Sequence, residues 1–335
     1  MIYEGESKMF ICPKCKRKMA LPECSCGHKV EVRNGIWQLS LMPNIVKSGD
    51  GDKYIGYEDI GEAYSGNRKY IIEEGDALFA AEVSALTGDG IFLDLACGDG
   101  CFTVPCAANG THIIAGDISN RMLSILQEKA MRNNILLENV TLCRMNALDI
   151  PLSDESINVV VANSVLHLIS NPEKVVDEIY RVLKKGGMFL CLDDIPGKND
   201  AEHFDNSHYF EIQNLMYGEY WRRLGELGIK PIKYRWHFDR AAVCDELFSS
   251  KKEKLIKRDG SYEVLLRDGF LPRFCGRGFS DQTDVPKDIH YEVIDSLMGE
   301  FKEKYGDDFA DVPFRGMYDD ILITIYTKEL SINNF

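Results

Sequence analysis

The stretch Ile91-Phe92-Leu93-Asp94-Leu95-Ala96-Cys97-Gly98-Asp99-Gly100 constrains this chain more than any other. An apolar run closes on Asp94, passes through a turn with two glycines and continues into Cys101-Phe102-Thr103-Val104. That order predicts a strand, a tight loop and a helix. Without Cβ atoms at Gly98 and Gly100, the loop backbone can take unusual dihedrals and approach a ligand closely. In open α/β sheets, ligands bind at the carboxyl edge of the strands, where this loop would lie. Some twenty residues later Ile113-Ile114-Ala115-Gly116-Asp117 predicts a second strand ending in a carboxylate. An acid there can accept both hydroxyls of a ribose, so the two segments together predict a nucleoside-bearing ligand.

A dinucleotide loop would read Gly-x-Gly-x-x-Gly, with a pyrophosphate at the helix N-terminus. Here Gly98-Asp99-Gly100 is followed by Cys101, Phe102 and Thr103, and Asp99 adds negative charge where the pyrophosphate would lie. An acidic loop suits a cationic ligand better. Leu93 to Gly100 resembles the first motif of the class I S-adenosylmethionine-dependent methyltransferases. Asp117 falls where that family carries its ribose-binding acid, followed by Ile118 and by Ser119 as a helix N-cap. Met145-Asn146-Ala147-Leu148-Asp149 resembles the family's segment after the third strand, with Asn146 where an adenine-contacting Asp is usual. Ile157 to Asn163 predicts the fourth strand, Val175 to Gly187 an amphipathic helix and Met188 to Asp193 the fifth strand. The resemblance covers residues from about Tyr64 to Asp194. It implies an α/β fold with a doubly wound, mostly parallel, seven-stranded Rossmann-like sheet. It also implies S-adenosylmethionine as cofactor, held by Asp94, Ala96, Cys97, Gly98, Gly100, Asp117, Ile118, Asn146, Ala147 and Asn163. The family's N-terminal lid would fall near Tyr54 to Tyr70, with Tyr64 as the expected lid contact.

The chain has 335 residues, enough for one large α/β domain and a small module, and 45% of them are hydrophobic. No apolar run is long enough to span a bilayer. The acidic segment Met1 to Glu6 lacks the apolar core of a signal peptide. Of eleven cysteines, seven are scattered without disulfide-like spacing. Together these features predict a cytoplasmic protein with reduced thiols. The net charge of −14 argues against DNA or other broad nucleic-acid attraction.

At the front, Cys12-Pro13-Lys14-Cys15 and Cys24-Ser25-Cys26-Gly27-His28 supply two knuckles. Four thiolates can satisfy a tetrahedral Zn²⁺, and a segment of about forty residues needs such a clip to fold. The second pair has only one intervening residue, so His28 is an alternative to one of its cysteines. Lys29 to Leu39, with Asn34-Gly35, predicts a hairpin. The whole module resembles the small zinc ribbons that precede many methyltransferase domains. Between residues 8 and 33, seven basic residues oppose two acidic ones. Such a face could touch RNA or dock on an acidic catalytic domain; the lack of interleaved aromatic residues favours docking. The expected organisation is a zinc-ribbon-like module at 1–42, a linker at 43–53 and the methyltransferase domain at 54–335.

Beyond Asp194, Glu211 to Leu227 predicts a helix, Lys230 to Phe238 a strand and Asp320 to Tyr326 the last strand. Residues 239–318 are then an insertion or cap before that strand, containing the arginine- and aromatic-rich run Asp268 to Phe279. Methyl transfer demands chiefly alignment and exclusion of water. His167 is the candidate general base, ahead of Asp193 and Asp194; His203, His208 and Tyr209 are candidate substrate-wall residues. The reading is methyl transfer to a small molecule. RNA base methylation and a non-catalytic cofactor-binding or docking role are the alternatives.

Overall fold

The computed structural model describes residues 9–42, 57–66, 71–193, 200–231 and 238–329. The front module begins with β1 (Phe10–Ile11) paired antiparallel to β2 (Lys18–Met19). Then β3 (Val32–Arg33) and β4 (Ile36–Gln38) close a hairpin through Asn34 and Gly35, with φ of 51° and 79°. Two consecutive positive φ values are what a type I′ turn requires, and Asn-Gly is its preferred pair. The expected linker, 43–53, lies outside the described residues.

Within the segment where a lid is expected, residues Tyr57–Ser65 form α1, followed by α2 (Glu74–Thr87). The central alternation then runs β5 (Ile91–Leu95), α3 (Thr103–Ala108), β6 (His112–Asp117), α4 (Asn120–Arg132), β7 (Val140–Arg144), β8 (Ile157–Val161), α5 (Pro172–Val182) and β9 (Leu183–Asp193). The far end adds α6 (Asp200–His203), α7 (Ser207–Glu226), α8 (Arg240–Leu247), β10 (Ser250–Ile256), β11 (Ser261–Leu265), α9 (Phe270–Cys275), α10 (Lys287–Tyr305), β12 (Pro313–Met317) and β13 (Ile321–Thr327).

Nine strands form the main sheet, in the order β10-β13-β9-β8-β5-β6-β7-β4-β3. Six of these match the expected strands, and a seventh, β10, stands at 250–256 rather than at the expected Lys230–Phe238. The other two are β3 and β4, because the front hairpin joins the sheet edge, with Trp37 opposite Cys143 and β4 parallel to β7. The strands from β7 to β9 are mutually parallel, and β13 runs antiparallel between β9 and β10. Alternate residues of β5 enter opposite cores: Phe92 one, Leu93 and Leu95 the other. Fully burying each such side chain contributes roughly 1.5–3 kcal/mol, and burial on both faces explains the near-continuous apolar runs. The chain leaves β5 toward β6 on one side and returns to β8 on the other. That reversal opens a crevice at the strands' carboxyl ends.

Two expectations shift. The helix predicted to run to Gly187 stops at Val182, and Leu183 already pairs with Ile157 in the sheet. The basic pair and glycines at 184–187 look like a helix C-terminus, but Gly187 lies where an added Cβ would stand 2.8 Å from the Lys184 carbonyl oxygen. The other shift concerns residues 239–318: β10, a strand of the main sheet, lies within this stretch. The additional core is built from α7, α9, α10 and the segment near Phe309. Tyr209, Ile212, Met216, Tyr220 and Leu224 give α7 one apolar stripe, packed with Phe274, Ile294 and Leu297. Most of the expected strand at Lys230 to Phe238 lies outside the described residues.

Candidate functional site

At the crevice is a cavity of about 280 Å³, lined by residues from the β5, β6, β7 and β8 edges, the lid helix and the end of the front module. Among the expected cofactor residues, Tyr64, Ala96, Gly98, Asp117, Ile118, Asn146, Ala147 and Asn163 line it. Asp94, Cys97 and Gly100 stand behind the lining. Asp94 is buried and accepts a 2.6 Å hydrogen bond from Thr103 Oγ1, which ties the end of β5 to α3. Burial raises its carboxyl to about 7. Cys97 is buried, and burial pushes its thiol well up. Gly100, at φ 78°, packs so closely on α4 that a Cβ would stand 2.5 Å from Leu126 Cγ. Ala96 takes φ 58°, a left-handed conformation that disfavours a side chain.

Asp117 shapes this wall. Its carboxylate accepts from Gly98 N at 3.0 Å and from Ser119 N at 2.8 Å, bracing the loop against the start of α4. Burial raises its carboxyl to about 6, against the lowering effect of those N–H donors. Just before it, Gly116 is held to a bare Cα, since a Cβ would lie 2.4 Å from Met145 Sδ. Asn146 faces the cavity with its amide partly engaged: Oδ1 accepts from Leu148 N at 3.0 Å, and Nδ2 lies 3.2 Å from Met42 Sδ. Asn163 and Ser164 line the far side, Ser164 at φ 52°.

Tyr64 meets Tyr57 edge-on, their centroids 4.8 Å apart, and both rings line the cavity. The lid is fixed by Glu58, which the sequence reading passed over. Its carboxylate accepts from Ser119 Oγ at 2.8 Å, Asn120 N at 3.3 Å and Arg121 N at 2.7 Å, so it caps α4 from outside. Its signal in the sequence is only an acid in the lid segment, with no pattern to aim it.

The front module reaches the same site. Met42 lines the cavity, and the buried Arg144 holds it there by donating to the carbonyls of Ser40 (3.1 Å), Met42 (2.7 Å) and Ile118 (3.0 Å). Ile11 N donates to Pro151 O at 2.9 Å, and Ser153 N to Met9 O at 2.7 Å. Lys16 pairs with Asp149.

Four thiols converge within this module. The Sγ atoms of Cys12, Cys15, Cys24 and Cys26 all lie within 4.8 Å of one another. Cys12 to Cys26 is 3.7 Å and Cys15 to Cys24 is 3.5 Å. A tetrahedron with metal–sulfur bonds of ~2.3 Å has sulfur–sulfur edges of roughly 3.8 Å. His28 is not in this group; its carbonyl instead accepts from Cys24 N at 2.9 Å. The tight second knuckle is possible because Gly27, at φ 82°, turns the chain immediately after Cys26.

The other candidates lie elsewhere. His167 sits on a short turn between the lining residues Val165 and Leu168 without itself lining the cavity, and burial lowers its pKa. Asp193 is engaged by Arg240 and Thr324. Asp194 is outside the described residues. His203 and His208 are exposed, and Tyr209 belongs to the α7 core.

The family model described as "Methyltransferase domain" matches residues 93–191. A demethylmenaquinone methyltransferase of Clavibacter sepedonicus is 30% identical over 141 residues, which are 41% of this chain and 56% of that protein. The protein of that name from Symbiobacterium thermophilum is 34% identical over 118 residues, 34% of this chain and 46% of the other. The chain thus spans about half the length of these two relatives. Among solved structures, the YcgJ protein from Bacillus subtilis is 16% identical, with 77% of this chain and 100% of that one covered at a TM-score of 0.42. Among the described residues no helix is long and apolar enough to cross a membrane. The matched segment, Leu93 to Cys191, builds most of the cavity, and it is this segment that is similar to a methyltransferase domain.

Proposed function

We propose that this protein transfers a methyl group from S-adenosylmethionine to a small molecule. The observation that carries the reading is the cavity itself: it lies at the sheet's switch point, with the Asp117 carboxylate in its wall and the Gly98 backbone beside it. When bound, S-adenosylmethionine supplies an electrophilic methyl group and its own leaving group. The residues here fit its chemistry. Asp117 would accept the ribose hydroxyls. Asn146 would use the second lone pair of Oδ1 for the adenine amino group, the first being taken by Leu148 N. Ala96 and Gly98 would bring backbone to the methionyl end. Tyr57, Tyr64, Leu168 and Ile169 would exclude water and hold the acceptor in line. Such a mechanism works by alignment; His167 would take a proton only after its turn swings toward the cavity.

The acceptor is assigned to small molecules on two grounds. Two of the relatives are named for a small-molecule acceptor, demethylmenaquinone. The basic front module also spends much of its charge internally: Lys16 on Asp149, Lys29 on Glu23 and Arg33 on Glu31. An RNA-binding face would leave those cations for phosphates. The four cysteines are read as a structural Zn²⁺ site.

Calorimetric titration with S-adenosylhomocysteine tests the reading. Binding is expected, and Asp117→Ala should weaken it by about 1–3 kcal/mol, the cost of lost hydrogen bonds to a charged group. Because hydroxyl donors favour the ionised acceptor, affinity should rise as pH increases through about 6. Failure of the unmodified protein to bind would overturn the reading; undiminished affinity in Asp117→Ala would remove the role given to that carboxylate.

A further inference from the structure

In a chain with 53 acidic residues, α9 and the turn after it carry two arginines, Arg273 and Arg277, without counter-ions among the described residues. Among the described residues neither Arg273 nor Arg277 forms an ion pair, whereas Arg267 on the same segment pairs with Asp311. Arg273 lies over two rings, 5.4 Å from the centroid of Tyr64 and 4.9 Å from that of Phe279, and its buried Nε has no hydrogen-bond partner. Arg277 is only 6% exposed, yet it donates a single hydrogen bond, to Thr283 O at 3.1 Å, and its Nε is also unpartnered. Burying cations this way is costly unless an anion joins them.

Their position ties them to the cavity. Gly276 and Gly278 press on the lid helix: a Cβ at either would stand 2.6 Å from an atom of Ala63. The next residue, Tyr64, lines the cavity. The arginine turn therefore backs the lid wall, on the side where the lining is aromatic. Aromatic faces on Tyr64 and Phe279 hold the guanidinium of the half-buried Arg273 in place, and a guanidinium so held is suited to a two-pronged contact with an oxyanion.

We propose that Arg273 receives an oxyanion, carboxylate or phosphate, carried by the methyl acceptor, with Arg277 strengthening the positive field behind it. The inference rests on the methyl-transfer reading. It makes the acceptor an acidic molecule whose apolar part occupies the Tyr57–Tyr64 wall. The methionyl carboxylate of the cofactor is the other source of the same chemistry, and the experiment separates the two.

The full chain is loaded with S-adenosylhomocysteine and titrated with benzoate and with inorganic phosphate, followed by ligand-observed NMR. At least one anion should bind. Arg273→Met should weaken it about tenfold or more and Arg273→Lys by less, with S-adenosylhomocysteine affinity within about twofold of the parent. Arg267→Gln, at an exposed ion pair, should change neither. Equal anion binding in Arg273→Met would overturn the inference. So would a parent complex that takes up no anion while Arg273→Met loses cofactor affinity, since the arginine would then serve the cofactor's carboxylate. If S-adenosylhomocysteine does not bind the parent at all, the methyl-transfer reading fails. The anion titration of the unliganded protein then still reports on Arg273. Arg273→Lys keeps the test open if Arg273→Met does not fold.

Discussion

Single residues around the loop carry strain and charge that can be measured apart from activity. Ala96 holds φ 58°, which for a residue with a Cβ costs roughly 1–2 kcal/mol. Glycine would remove that cost but add unfolded-state entropy worth about 0.5–1 kcal/mol. Ala96→Gly should therefore stabilise the fold by up to about 1 kcal/mol in urea denaturation; a loss of stability would show that the left-handed turn is not strained. Asp94 makes a prediction about pH. Burial raises its carboxyl from the usual 3.8 to about 7. The fold therefore holds this proton more tightly than the unfolded chain does. The stability it contributes is complete below pH 3.8 and lost as pH rises through about 7. The amide introduced by Asp94→Asn does not titrate, and it can still accept from Thr103. Between pH 5 and pH 8 the unfolding free energy of Asp94→Asn should thus gain on that of the parent. A pH-independent difference would mean that Asp94 ionises normally.

Among the elements, α1 depends most on a few contacts. Glu58 alone accepts three hydrogen bonds from the start of α4, and Arg121 pairs with Glu62. Glu58→Ala should release α1 and leave the Asn120 and Arg121 N–H groups of α4 without their acceptor, at a cost of about 1–3 kcal/mol. The expected readout is faster amide exchange across Tyr57–Ser65 with little change in β5 or β6. Unchanged protection of α1 would place its anchor elsewhere. How legible each element was in the sequence follows from what decides it. Runs such as Phe92 to Leu95 and Ile113 to Ala115 are buried on both faces, so local composition alone marks them as central strands. Ser119 caps α4 through Met122 N, as its residue type suggests. By contrast β10 reads Ser-Lys-Lys-Glu-Lys-Leu-Ile and is almost wholly exposed. Lysines protect a sheet edge, but they erase the apolar signal that would reveal a strand. The α7–α9–α10 core joins residues some eighty positions apart, so no local pattern announces it.

At the scale of the molecule, the front module is built into the cavity wall. Spacing identified its cysteines. Its basic face predicted docking on the acidic domain, but where it docks could not be read, because much of the contact runs through backbone groups: Met9 and Ile11 on 151–153, β4 on β7, and the Ser40 and Met42 carbonyls on Arg144. The docked surface includes Asp149, three residues beyond Asn146, and Met42 itself lines the cavity. A module of this size has little apolar core of its own, so a metal at the four thiols would supply much of its folding free energy. Loss of that metal should loosen Met42 and the segment after β7 while the other seven strands of the sheet survive. Treatment with a strong chelator should release one zinc per chain. S-adenosylhomocysteine affinity should fall about three- to tenfold, equivalent to roughly 1 kcal/mol, with near-native circular dichroism. Cys12→Ser should reproduce the loss in protein that has never met the chelator. If zinc leaves stoichiometrically and cofactor affinity holds, the module is only attached to the wall. If affinity falls in step with zinc content, the metal belongs to the binding site's architecture, although it lies outside the cavity.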